Sequence, residues 1–216
     1  MTTDRTAALA IIAGSLAGLA TMALHPTGRD VVQNASAGGT NSLAAAVHWL
    51  AIVAEPLVLA GTLALTLRLR AQRDIAIGAY VFYAVAGVMV VMAAIASGLV
   101  APGALRGMRD ADEATRALMM SDLHYTGLLN QAFASVYVVF SAIAILLWSA
   151  AILGGGGREL PRALAVYGLL LGAVLLLGVA SGHLRLGVHG FGLVVLGEAV
   201  WMIWAAASMS RTPTDG

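Results

Sequence analysis

Six long apolar stretches divide this chain, and polar residues are concentrated in the segments between them. The stretches lie at about 7–25, 44–67, 76–100, 126–153, 161–182 and 188–209. An apolar run of about 18 residues or more is long enough to cross the hydrocarbon core of a bilayer as an α-helix. The pattern therefore predicts an all-α, polytopic membrane protein, with residues 1–216 forming a single transmembrane domain of six helices.

Composition supports this class and excludes several kinds of chemistry. Hydrophobic residues make up 60% of the chain and charged residues 11%, and the mean hydropathy is +0.88, far from the usage of soluble domains. All 12 basic residues are arginine, so no lysine is present to form a Schiff base. Cysteine is absent, which excludes disulfides and thiolate metal sites. A net charge of +1 gives no reason to expect nucleic acid as a partner.

The distribution of arginine predicts the orientation in the membrane. One side, which carries both termini, holds seven of the 12 arginines: Arg5, Arg68, Arg70, Arg73, Arg158, Arg162 and Arg211. The other side holds the remaining five: Arg29, Arg106, Arg109, Arg116 and Arg185. Because basic residues accumulate in cytoplasmic loops, we expect the N and C termini to be cytoplasmic. Two longer loops, 26–43 and 101–125, then face outwards, and the second can form an interfacial helix from about residue 111.

The predicted topology places every histidine of the chain on the outer side. The five are His25, His48, His124, His183 and His189. Two of them lie in residues 181–192, a hairpin that also holds Arg185 and several glycines. Glycine lets a chain turn tightly, so the hairpin can bring its histidines towards the others. This outer layer is the first candidate site, and its alternative is a set of interfacial histidines that only cap helices.

A second polar layer is predicted about two helical turns deeper. Its members are polar residues within the apolar stretches: Glu55, Asn130, Gln131 and Glu198. Glu55 follows His48 by seven residues, and Gln131 follows His124 by the same interval, so each pair shares one helix face at a separation of about 10 Å. An intramembrane carboxylate is costly unless it is paired, protonated or hydrated, so such residues point to function. The alternative is a protonated glutamate that holds helices together through Asn130 or Gln131.

Five histidines together with intramembrane carboxylates could provide the ligands of a metal ion. Neutral imidazole binds zinc, copper and iron, and cysteine is absent here. We therefore expect some of the five histidines to bind a transition metal or haem iron, for redox or metal-assisted chemistry on a small or lipid-soluble substrate such as a quinone. In the catalytic roles, Glu55 would orient a ligand or move protons, and Arg185 would bind an anionic substrate or a haem propionate. Haem b is the alternative cofactor, since histidines on facing spans can be axial ligands.

A second class of function stays open beside the metal site. In a proton-coupled transporter or a pH-sensing module, histidines with a pKa of about 6.5 would respond to the pH outside. Glu55 and Glu198 would then be the intramembrane proton site, and no cofactor would be needed. The sequence leaves a homo-oligomer open in either case, and it identifies membrane lipid as the one certain neighbour.

Three stretches carry a resemblance to known proteins. They are Ala-Leu-His-Pro-Thr-Gly at 23–28, Tyr-Thr-Gly-Leu-Leu-Asn-Gln-Ala-Phe at 125–133 and Ser-Gly-His-Leu-Arg-Leu-Gly-Val-His-Gly-Phe-Gly at 181–192. They look like those of small six-span bacterial membrane proteins without assigned function. The resemblance implies a bacterial inner (plasma) membrane and transfers no activity.

Overall fold

The computed structural model describes residues 3–37, 39–157 and 159–211. Its α-helices are α1 (Thr3–Ala23), α2 (Gly28–Ser36), α3 (Ser42–Arg68), α4 (Arg73–Ile95), α5 (Ala101–Gly107), α6 (Glu113–Gly154), α7 (Arg162–Ala180) and α8 (Val188–Arg211). Six helical segments are long and apolar enough to cross a membrane, and no strand occurs in the described ranges. The predicted all-α class with six apolar helices is confirmed.

The fourth apolar helix begins earlier than the sequence pattern predicts. A separate interfacial helix from about 111 and a span from 126 were expected, but Glu113–Gly154 is one helix of 42 residues. Its N-cap is Asp112, whose side chain accepts a hydrogen bond from the Thr115 amide at 2.7 Å. This hydrogen bond lowers the pKa of Asp112. At about 1.5 Å per residue the helix is about 63 Å long, so it extends well beyond a hydrocarbon core of about 30 Å.

The helices form a ring in which each packs against its neighbours. Helix α1 packs between α8 and α3, α3 packs on α4, α4 on α6, and α6 on α7, which in turn contacts α8. The core of the ring contains an aromatic stack towards the arginine-bearing end of α3, where the rings of Trp148 and Trp201 lie with centroids 5.7 Å apart. Trp148 also donates a hydrogen bond to the Thr66 hydroxyl at 3.0 Å.

The alternating direction of the long helices gives the bundle two chemically different ends. The histidine end carries all five histidines and the short helices α2 and α5. The arginine end carries Arg68, which donates to the Asp4 carboxylate at 2.9 Å and to the Met209 carbonyl at 3.2 Å. These bonds connect α3 to α1 and α8. That the arginine end is cytoplasmic remains a prediction from the arginine distribution.

Helices α1 and α3 approach each other closely at a glycine. A Cβ atom added at Gly61 of α3 would lie 2.7 Å from the Ala7 carbonyl oxygen and 2.4 Å from the Ile11 side chain. Real Cβ contacts are not this short, so α1 would have to move. The absence of a side chain at Gly61 therefore sets the separation of the two helices.

We expect Gly61→Ala to lower the stability of the bundle. Forcing one extra methyl group into a packed contact costs about 1–3 kcal/mol, so the variant should unfold at a lower temperature in detergent. The matched control is Gly78→Ala on α4, where an added Cβ meets nothing within 4 Å and alanine favours the helix. Equal unfolding temperatures for the two variants would contradict the proposed contact.

Candidate functional site

A cavity of about 560 Å³ opens among the helices at the histidine end. Most of its wall is apolar, contributed by α1, α2, α3, α6 and the segments on either side of them. Its histidine and amide side chains come from four different parts of the chain: His25, His48, Asn130, Gln131 and His189. Ser97 adds a hydroxyl from a fifth part. The cavity therefore combines a lipid-like wall with a small number of polar groups, as small-molecule sites do.

Two histidines face each other in the cavity wall. His25, just after α1, and His48, in the second turn of α3, have their Nε2 atoms 3.1 Å apart. Their ring centroids are 4.7 Å apart, with an angle of 67° between the planes. His48 is buried, with 4% of its surface exposed, and His25 is half-buried. We call these two residues the histidine pair.

The hydrogen bonds of the two Nδ1 atoms indicate the tautomer of each ring in the histidine pair. The Nδ1 atom of His25 lies 2.7 Å from the Pro26 carbonyl oxygen, and that of His48 lies 2.5 Å from the Ala44 carbonyl oxygen. A carbonyl oxygen only accepts hydrogen bonds, so each Nδ1 must carry the proton. In neutral rings both Nε2 atoms then present lone pairs to each other. A bond between the two Nε2 atoms themselves therefore requires an added proton or a shared metal cation.

Ser97 joins the pair from the end of α4. Its hydroxyl oxygen lies 2.8 Å from His48 Nε2 and 2.9 Å from the Ala93 carbonyl oxygen, so its one proton can be donated to either atom. It lies in a π-helical turn, Ala96–Val100, that continues α4 into α5; such turns occur often at functional sites. At the next residue, Gly98, an added Cβ would lie 2.1 Å from His48 Cγ. The glycine therefore makes the room that the buried His48 ring occupies.

The other histidines do not join the pair. His189 lines the cavity, whereas His124 and His183 are exposed and lie outside its wall. Over the described ranges, no three histidine, aspartate or glutamate side chains are grouped so as to hold a metal ion. Of the five candidate histidines, the fold therefore brings two into contact and places a third in the wall of the same cavity.

The hairpin between α7 and α8 explains why His183 and Arg185 stay outside. After α7 ends, Gly182 adopts a φ of 70°, and the chain continues without regular secondary structure, with bends at Leu184 and Gly187. Leu184 and Leu186 pack against the apolar core, so His183 and Arg185 are left exposed. In the described structure, Arg185 makes no side-chain hydrogen bond or ion pair, and it lies outside the cavity wall.

The deeper polar layer is arranged differently from the prediction. Glu198 is buried and accepts hydrogen bonds from the Tyr137 hydroxyl at 2.5 Å and the Ser141 hydroxyl at 2.6 Å. Asn130 and Gln131, the partners expected for an interior glutamate, instead line the cavity. Serine and tyrosine within apolar helices are common, so Ser97, Tyr137 and Ser141 had no signal of their own in the sequence.

Helix α2 closes the cavity from the side of the solvent. Its N-cap Thr27 and Asp30 bond each other reciprocally: the Thr27 amide donates to the Asp30 carboxylate at 2.8 Å, and the Asp30 amide donates to the Thr27 hydroxyl at 3.2 Å. Hydrogen bonds from the Thr27 hydroxyl and backbone lower the pKa of Asp30, which is therefore ionised at neutral pH. One turn later, Val31 and Val32 line the cavity.

Comparison with protein-family models, with curated proteins and with solved structures finds no match to the chain. The fold and the cavity therefore define its class: an all-helical protein with six apolar helices and a histidine-containing cavity at one end.

The hydrogen bonds of the histidine pair predict an unusual tautomer that can be measured. We expect ¹⁵N spectra of histidine-labelled protein to show two neutral rings that are protonated at Nδ1, because carbonyl oxygens accept there. These signals should be lost one at a time in His25→Gln and His48→Gln, and should persist in His183→Gln as the exposed control. Protonation of both rings at Nε2 in the metal-free protein would contradict the geometry.

Proposed function

We propose that the histidine pair binds one transition-metal ion at the outer face of a bacterial inner membrane. Zinc, copper or iron would be held by the Nε2 atoms of His25 and His48, with open coordination positions towards the cavity. The cavity would admit a small or lipid-soluble substrate, such as a quinone, to the metal for redox or metal-assisted chemistry. The observation that carries the proposal is the contact of two ring nitrogens with no proton available to lie between them.

The separation of the two nitrogens suits a shared metal ion. Two imidazole nitrogens, each about 2.1 Å from one ion, would lie about 3.1 Å apart at an angle of about 95° and about 3.4 Å apart at the tetrahedral angle. The Nε2 atoms of the pair are 3.1 Å apart. A small outward movement of either ring would therefore accommodate the ion.

The surroundings of the pair also suit a metal. Histidine ligands usually donate their second ring N–H to a carbonyl or carboxylate, which fixes the tautomer and strengthens the ligand. Both members of the pair have such a carbonyl partner. Besides the Ser97 hydroxyl, the cavity wall offers the His189 imidazole and the Met22 thioether as further groups that bind first-row metals; a thioether would favour copper.

A metal ion bound directly by the pair fits better than haem. Two axial histidines on one haem iron lie on opposite faces of the ring, about 4.1 Å apart at twice the usual metal–nitrogen bond length. The Nε2 atoms are closer than this, at 3.1 Å, and the His48 ring is wedged against Gly98. Arg185, expected to pair with a propionate, lies outside the cavity wall.

The second candidate function is a proton-coupled transporter or a pH sensor. The same contact favours it, because one added proton would convert two repelling lone pairs into an imidazolium–imidazole hydrogen bond. In that case the pair would bind its proton as a unit, shared between the two Nε2 atoms. The metal content of the protein separates the two proposals.

We expect protein purified in neutral detergent, with a tag that contains no histidine, to hold about one metal ion per chain by elemental analysis. Affinity should fall by at least about tenfold in His25→Gln and His48→Gln, since even outer-shell changes cost 10–100-fold at such sites. The control is His183→Gln, an exposed histidine outside the cavity, which should keep its metal.

X-ray absorption on the loaded protein should then show two imidazole ligands. Folded protein that takes up neither zinc, copper nor iron would overturn the metal proposal. If that metal-free protein shows the histidine pair binding a single proton as one unit in its ¹⁵N spectra, the second candidate replaces the first.

A further inference from the structure

The interior of the bundle holds two carboxyl groups that the metal site does not use. Glu198 of α8 is 4% exposed and lies among α6 side chains. Glu55 of α3 presents its Oε1 atom to the interior, where that atom has no hydrogen-bond partner among the described residues. A Cβ added at Gly87 of α4 would lie 2.5 Å from this atom. The glycine therefore leaves a notch in α4 that the Glu55 carboxyl fills.

No cationic side chain is paired with either carboxyl in the described part of the chain. Glu55 contacts α4 at Gly87, Glu198 contacts α6 at Tyr137 and Ser141, and α4 packs directly on α6. The ion pair found in the described part of the chain is Arg68 with Asp4, at the arginine end. Two adjacent anions inside an apolar bundle would be strongly unfavourable. The pair therefore needs at least one bound proton.

The hydrogen bonds distinguish the two carboxyls. Glu198 receives two O–H donors, from Tyr137 and Ser141, and donors of this kind stabilise a carboxylate. Glu55 Oε1 receives none from the described residues. The arrangement thus suits an ionised Glu198 beside a protonated Glu55.

The elements packed around the pair contribute few other titratable groups. Tyr83 comes from α4 and Tyr137 from α6, while Tyr167 of α7 donates to the Gly197 carbonyl at 3.0 Å. Helix α1 has no titratable side chain between Arg5 and its end. The nearest histidine along α3 is His48, about two turns away towards the cavity.

The carboxyl pair lies directly beneath the cavity. Ala51, Val90 and Ala134 line the cavity, and each is three or four residues, about 5 Å along the helix axis, from Glu55, Gly87 and Tyr137 respectively. In the opposite direction, α3, α4, α6 and α8 carry no charged or histidine side chain until the arginine end. The cavity, about one helical turn away, therefore offers a short route for a proton to the pair.

We infer that Glu55 and Glu198 form an intramembrane proton-binding pair, in which Glu55 carries the proton and exchanges it with the outer cavity. This inference does not rest on the metal ion: it uses the same cavity but different residues. No bond other than O–H changes, since the proton passes between the Glu55 carboxyl and water in the cavity.

Infrared spectroscopy of the protein in lipid nanodiscs tests the proton directly. At neutral pH we expect one carbonyl band from a protonated carboxyl, absent in Glu55→Gln and retained in the matched control Glu113→Gln, a solvent-exposed glutamate at the start of α6. Tyr137→Phe removes one donor from Glu198, so the proton should be distributed over both carboxyls and the band should shift. If Glu55→Gln does not fold, the shift of the carbonyl band in Tyr137→Phe still tests the inference.

Exchange through the cavity is tested in the same spectra. Transfer to D₂O should move the band, and Ala51→Leu, which narrows the cavity floor, should slow that movement several-fold. Val53→Leu on the same helix is the control, since Val53 is 62% exposed on the outer surface of the bundle.

Three results would overturn the inference. They are the absence of a protonated band at neutral pH, its loss in Glu198→Gln but not in Glu55→Gln, and its removal by sodium but not by choline, which would make the pair a cation site. Unchanged exchange in Ala51→Leu would reject the cavity route. All measurements are made on chelator-treated protein, so a failed metal proposal leaves them unaffected.

Discussion

A polar group inside an apolar helical bundle must find its partner within the protein, because neither apolar side chains nor lipid offer one. Most interior polar groups here meet that constraint: Trp148 bonds Thr66, and Tyr137 and Ser141 bond Glu198. Among the described residues, Glu55 Oε1, Ser149 Oγ and Trp201 Nε1 are buried without a hydrogen-bond partner, and the two Nε2 atoms of the histidine pair face each other. A cation shared by the two imidazoles would bond their facing nitrogens, and a bound proton would leave the Glu55 carboxyl uncharged. These two missing interactions are the basis of the two proposals.

Glycine makes these polar sites physically feasible. Gly98 admits the His48 ring and Gly87 admits the Glu55 carboxyl, since a methyl group at either position would overlap the polar side chain. Both belong to the continuous helical segment that runs from α4 through the π-helical turn. One segment thus shapes the cavity wall and the interior beneath it. Movement of that segment would change both sites together, which gives a physical route for coupling a cavity ligand to the buried proton.

The position of the sites suggests how a lipid-soluble molecule would meet both. The histidine pair is in the wall of the cavity, and the carboxyl pair lies one helical turn below its floor. A redox reaction of a quinol releases protons as well as electrons, so a nearby proton acceptor would be useful to a metal centre of the proposed kind. A transporter would use the same arrangement to couple its substrate to a proton. The reaction or transport that takes place at the histidine pair would therefore determine the role of the Glu55 and Glu198 carboxyl groups.

The sequence by itself determined the all-α class, the six apolar helices and the concentration of histidine at one end, because hydrophobic length and the alternation of spans need no knowledge of packing. It also indicated that Glu55 and Glu198 were exceptional. Only the tertiary structure decided that His25 meets His48, that His183 and Arg185 face outwards, and that Tyr137 and Ser141 hold Glu198. Those outcomes depend on how helices rotate and approach one another, and a linear pattern of residue types does not contain that information.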